Sequence, residues 1–160
     1  MSVFTKAHTA MGRRQALKAV GAGALALAGS GFAGNSALAS AESAAAYLSK
    51  VTGGAMAKEG KITLKLPEIA ENGATVPITI SVDSPMSDSD YVKSLHVVAE
   101  GNPSPEVVSF NMSPGMGKAE VSTRVRLGKT QNVRAVAIMS DGSVYSAAKQ
   151  VKVTIGGCGG

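Results

Sequence analysis

The sequence is poor in the residues that cross-link chains and hold cofactors. Its 160 residues include one cysteine, two histidines, no tryptophan, three tyrosines and three phenylalanines. One cysteine excludes an internal disulfide framework and any Cys-x-x-Cys redox or zinc motif. His96 is the only histidine beyond residue 39, which argues against a multi-histidine metal site and a Cys-His catalytic pair; a lone strand histidine reads as structural or surface. There is no glycine-rich phosphate loop, no serine nucleophile elbow and no internal repeat. Met112 and Met116 bracket a Ser-Pro-Gly turn and read as core or loop filler. Asp83, Asp88 and Asp90 share a loop without calcium-loop spacing. Long apolar runs are also missing: the most apolar stretch, Ala19 to Ala28, is rich in Ala and Gly and too short to span a bilayer.

That stretch belongs to an address. Gly12-Arg13-Arg14-Gln15-Ala16-Leu17-Lys18 supplies a twin arginine and a basic n-region, and Ala37-Leu38-Ala39 supplies an A-x-A cleavage site. Residues 1–39 are expected to be a twin-arginine signal peptide cut after Ala39, which places the remainder in the periplasm without a membrane anchor. The signal carries four of the sixteen basic residues (Lys6, Arg13, Arg14, Lys18) and no acid, leaving twelve bases against eleven acids. Near-neutral charge without a basic, aromatic-studded patch is no nucleic-acid footprint.

The remaining 121 residues, 40–160, suit one domain with a modest core. Residues 40–57 form a helical segment, with Ser43 to Lys50 rich in alanine and Gly53-Gly54 as its stop. Beyond Lys58 the hydrophobic period changes to two. Ile62 to Leu66, Val76 to Val82, Tyr91 to Glu100, Glu106 to Met112, Ala119 to Leu127, Gln131 to Ser140 and Ser143 to Ile155 read as strands, each bounded by turn residues. Asp141-Gly142 marks a two-residue hairpin between the last two. About seven strands without alternating helices predict an all-β fold over residues 58–155, an immunoglobulin-like antiparallel β-sandwich lacking the disulfide and core tryptophan of antibody domains.

After the last strand the chain ends in Gly156-Gly157-Cys158-Gly159-Gly160. Glycine has nothing to bury and loses the most entropy on ordering, so residues 156–160 are expected to form a mobile arm that displays the thiol up to ~10 Å beyond the folded body. The slim neighbours of Cys158 would let it enter a narrow channel of another protein. No base or cation in the tail activates the thiol, and the nearest charge along the chain is the terminal carboxylate. The tail therefore reads as a handle for other proteins to act on. A prenylation box would need the cysteine fourth from the end, whereas Cys158 is third.

The run Val151-Lys152-Val153-Thr154-Ile155-Gly156-Gly157-Cys158-Gly159-Gly160 resembles the carboxy-terminal signature of the SoxY family, the sulfur carriers of periplasmic thiosulfate oxidation. The likeness extends to the export signal, the chain length and the all-β pattern. It implies a non-enzymatic carrier whose Cys158 holds covalently bound sulfur, with no other cofactor and no metal. It further implies loading of Cys158 as an S-thiosulfonate by a haem-containing SoxAX-like enzyme. Release of sulfate by a SoxB-like hydrolase, oxidation of the remaining sulfane sulfur by a SoxCD-like dehydrogenase, and a SoxZ-like heterodimer partner are implied too. Two other readings stay open on the residues alone: a structural sandwich subunit, and a thiol-disulfide protein that borrows its second thiol from a partner.

Overall fold

The computed structural model describes residues 35–157, and side chains from residue 41 onward. One helix, α1 (Asn35–Thr52), precedes eight strands: β1 (Ile62–Lys65), β2 (Ile69–Asn72), β3 (Val76–Val82), β4 (Val92–Ala99), β5 (Glu106–Asn111), β6 (Glu120–Val125), β7 (Gln131–Met139) and β8 (Val144–Ile155). They form two sheets, ordered β1-β3-β6 and β2-β8-β7-β4-β5. This is the all-β sandwich that period-two patterning predicts. Val76, Ile78, Ile80 and Val82 from β3 meet Leu95, Val97 and Ala99 from β4, with Val133, Ala135 and Ala137 from β7, in one buried core. Alternation decides which residues these are, because successive side chains of a strand point to opposite faces.

The middle of the larger sheet is covered on both faces. Val98 and Val136 are buried although they lie outside the sandwich core. They are on the outer face, where α1 lies: Ala44 is buried and the Tyr47 hydroxyl meets His96 Nδ1 at 3.2 Å. Double cover explains why β4 and β7 bury apolar residues on both faces, Val97 and Val98 in β4 and Ala135, Val136 and Ala137 in β7. The helix is longer than Ser43 to Lys50 and runs through the Ala37-Leu38-Ala39 site, since alanine and leucine favour helix whether or not they also suit a signal peptidase. Its end is where expected, with Gly53 and Gly54 at φ 62° and 80°.

Two further differences from the sequence pattern matter for the carboxy terminus. Strand β2 has no counterpart among the alternating runs: Ile69-Ala70-Glu71-Asn72 contributes one buried side chain, Ala70. It pairs parallel to β8, with Ile69 opposite Lys152 and Asn72 opposite Ile155, whereas the other named strand pairs among the described residues are antiparallel. The β7–β8 hairpin closes over Ser140, Asp141 and Gly142, one residue more than Asp141-Gly142 implies: Met139 N–H donates to Ser143 O at 2.9 Å, and Gly142 takes φ 83°. That is the three-residue hairpin with a glycine in the left-handed position. Asp141 closes it by accepting bonds from the Ser143 hydroxyl and backbone N–H, and these hold its carboxyl below the ordinary carboxylate range.

Candidate functional site

The chain's chemistry-bearing end is delivered by β8, the longest strand. Residues Val144 to Val151 pair with β7, and Lys152 to Ile155 continue alone on that side, since β7 begins opposite Val151. The overhang is held twice. On one flank β2 pairs with it; on the other the Thr130 hydroxyl accepts from Val153 N–H at 3.0 Å. A strand end satisfied on both flanks does not fray, because its peptide groups have nothing to gain from water.

The first two glycines of the arm are part of this structure. Gly157 is buried, and its N–H donates to Leu127 O at 3.0 Å. Leu127 N–H in turn donates to Gly73 O at 2.8 Å, and Gly73 N–H to Ile155 O at 2.7 Å. Two loops thus grip the chain as it leaves β8: Gly73-Ala74 after β2 and Leu127-Gly128 after β6. The grip requires bare backbone. A Cβ on Gly157 would lie 2.8 Å from Ala74 Cα, Ala74 N and Gly73 O, and one on Gly156 would collide with the Gly128 carbonyl oxygen. Glycine content alone predicts flexibility at Gly156 and Gly157; the structure instead uses them for close approach, and the root of the arm is Gly157.

Behind the second loop sits a buried amide pair. Asn102 is 2% exposed and Gln131 6%. Asn102 Nδ2 donates to Arg126 O at 2.9 Å, while its Oδ1 accepts from Gly128 N–H at 2.9 Å and from Gln131 Nε2 at 2.7 Å. Gln131 Oε1 accepts from Gly101 N–H at 2.6 Å. Every polar side-chain atom in the pair is used, so the amides fix the loop on which Leu127 and Gly128 ride. Sequence reasoning missed Asn102 and Gln131, because a buried amide looks like any loop amide until its distant partners, 24 to 30 residues away, are brought to it; the one local bond, from Gln131 Nε2 to Lys129 O, carries no such signal. Only Asn72-Gly73 carried a local signal, that of a turn.

The other candidates disperse. Cys158, Gly159 and Gly160 lie outside the described residues, as do Arg13 and Arg14; Ala37 and Ala39 fall within α1. His96 faces α1, its Nε2 on the Ser94 hydroxyl at 3.1 Å, and burial lowers its pKa against a smaller raising effect of Glu106. The Tyr47 hydroxyl is pushed up to about 12, by burial first and then by its hydrogen bond to Glu106. This cluster holds the helix. Met112 is in the core and Met116 half exposed; Asp83 and Asp88 are exposed. Among the described residues no three His, Cys, Asp or Glu side chains gather as metal ligands, and no helix is long and apolar enough to cross a membrane.

Comparison with known proteins gives the family. Residues 48–158 match the family described as sulfur oxidation protein SoxY, a match whose last residue is Cys158. Among solved structures, the sulfur carrier protein SoxY from Chlorobium limicola f thiosulfatophilum is 37% identical, with a TM-score of 0.59 over 72% of this chain and 99% of that one. A superoxide reductase (neelaredoxin) from Ignicoccus hospitalis shares the fold at 19% identity, with a TM-score of 0.51 over 59% of this chain and 80% of that one. No curated protein matches. A match over residues 48–158, together with a relative covered almost end to end, places the chain in the SoxY family of sulfur oxidation proteins.

Proposed function

We propose that the chain is a periplasmic sulfur carrier, exported by the twin-arginine route through Arg13 and Arg14 and acted on by enzymes rather than acting as one. Cys158 is the attachment point, taking thiosulfate-derived sulfur as a covalent S-thiosulfonate and keeping it bound through later oxidation. The observation that carries this reading is the gripped root at Gly157. A domain that fixes Gly157 with two loops and a buried amide pair, and has the chain's one thiol at the next residue, defines where that thiol starts from. Support also comes from the family match ending on Cys158. A SoxZ-like partner, with SoxAX-like, SoxB-like and SoxCD-like enzymes, completes the proposed system.

Presentation by a fixed root has a physical advantage over a long tether. Each residue of slack adds volume that the tip must search, whereas a root held at the body lets an enzyme that binds the body find the thiol within a few ångströms. Covalent carriage meanwhile keeps reactive sulfur from diffusing away. The test is Cys158→Ser, with and without removal of residues 158–160. Both variants should fold like the parent, with stability changed by less than ~0.5 kcal/mol, and neither should take up sulfur from thiosulfate in the presence of the sulfur-oxidising enzymes. Sulfur uptake by Cys158→Ser would sink the proposal. A structural subunit, by contrast, would keep its function after the truncation.

A further inference from the structure

Along the sequence, the cationic residue nearest to Cys158 is Lys152, six residues away. The fold brings different charges to the same place. Gly157 N–H is bonded to Leu127 O, and the residue before Leu127 is Arg126. Arg126 and Arg124 are exposed, two residues apart on the outer face of the smaller sheet's edge, and neither belongs to an ion pair; among the described residues the ion pair formed is that of Arg134 with Glu100. Both arginines line an open hollow of about 250 Å³ with Asn102, Ser104, Glu106 and Val107, between edge strands β5 and β6. Glu106 is the hollow's one acid, against two guanidinium groups.

We propose that Arg126, with Arg124 beside it, is a site for the anionic sulfur group carried on the arm, an inference that rests on the carrier reading of Cys158. Covalent geometry keeps the Cys158 Cα ~3.8 Å from that of Gly157, so a group extended from its sulfur is within reach of a long cationic side chain rooted beside Leu127. A guanidinium suits the task, since its planar fork meets two oxygens of a sulfonate at once. The arginines draw the substrate anion to the thiol and hold the loaded group against the body between enzymes.

Reaction of the purified protein with two thiol reagents tests this. With tetrathionate, a dianion, the Cys158 thiolate attacks an inner sulfur, the central S–S bond breaks, and thiosulfate leaves with the electron pair, giving the S-thiosulfonate. With methyl methanethiosulfonate, which is neutral, methanesulfinate leaves and a methyl disulfide forms. The ratio of the two rates cancels any change in thiolate fraction. One charge at ~7 Å in water alters the approach of an anion by about threefold, so Arg126→Gln should lower the tetrathionate-to-neutral ratio by about threefold or more. Arg124→Gln/Arg126→Gln should lower it further, and salt at about 0.5 M should erase the difference. An unchanged ratio in both variants overturns the site. So does an unchanged ratio with slowed oxidation by partner enzymes, which would assign the arginines to a protein-docking surface. If neither reagent modifies Cys158 in the parent protein, the carrier reading itself falls, and the site with it.

Discussion

Replacing Gly157 by alanine places a methyl group 2.8 Å from three backbone atoms, Ala74 Cα, Ala74 N and Gly73 O. None of them moves by a side-chain rotation, so two outcomes compete. The body can yield, at the ~1 to 3 kcal/mol typical of overpacking. Alternatively the chain end can peel away, losing the Gly157 to Leu127 hydrogen bond at ~0.5 to 1.5 kcal/mol. A chain end is free to leave, so the cheaper route sets the ceiling, and the expected loss is about 1 kcal/mol, or roughly 4 °C in Tm for a domain of this size. The more telling effect is local. Peeling frees Leu127 O and weakens the link from Leu127 N–H to Gly73 O, so amide hydrogen exchange at Leu127 should speed up while exchange in β4 and β7 follows only the global change. Unchanged Tm and unchanged exchange at Leu127 in Gly157→Ala would refute the gripped root.

Asn102→Ala should cost more, about 2 to 4 kcal/mol by chemical denaturation, because it strands the Arg126 carbonyl, the Gly128 N–H and the Gln131 amide together; a loss below ~1 kcal/mol would show that water replaces the amide readily. His96 has a lowered pKa, with burial as the main cause, so the unfolded chain takes up its proton first as pH falls, and the contribution present above pH ~6.5 is lost below it. With Tyr47, Ser94 and Glu106 facing the ring, the Tm of the parent should fall more steeply as pH drops below about 6.5 than that of His96→Gln; equal slopes would refute the assignment. On the proposed export route, replacing Arg13 and Arg14 with lysine should strand the protein in the cytosol, as cell fractionation would show; a protein that still reaches the periplasm would rule out the twin-arginine route.

The range of each interaction decides how much of the molecule was legible in its sequence. The strands of the core announce themselves through alternation, as in Val76-Pro77-Ile78-Thr79-Ile80, because burial on one face is a local pattern. Strand β2 does not, since it is defined by pairing with β8, far along the chain, and its one buried residue is alanine. The tail shows the same division. Its lone thiol makes Cys158 the residue of interest from composition alone, and the family match ends there. Composition also suggests that four glycines serve one purpose, whereas Gly156 and Gly157 are bare so that Gly128 and Ala74 can touch the backbone. Residues 73, 102, 127, 128 and 131 share the root only after folding.

Whether Cys158 carries sulfur is decided most directly by the intact mass of the protein purified from its native cells without reductant, followed by fragmentation of the peptide that contains Cys158. In the oxidising compartment that the proposed export implies, a solitary thiol acquires whatever it is given. The carrier reading therefore predicts a mixture in which sulfane sulfur and thiosulfonate masses map to Cys158, beside some disulfide-linked dimer. A single mass corresponding to the free thiol, or sulfur adducts in Cys158→Ser, would contradict it.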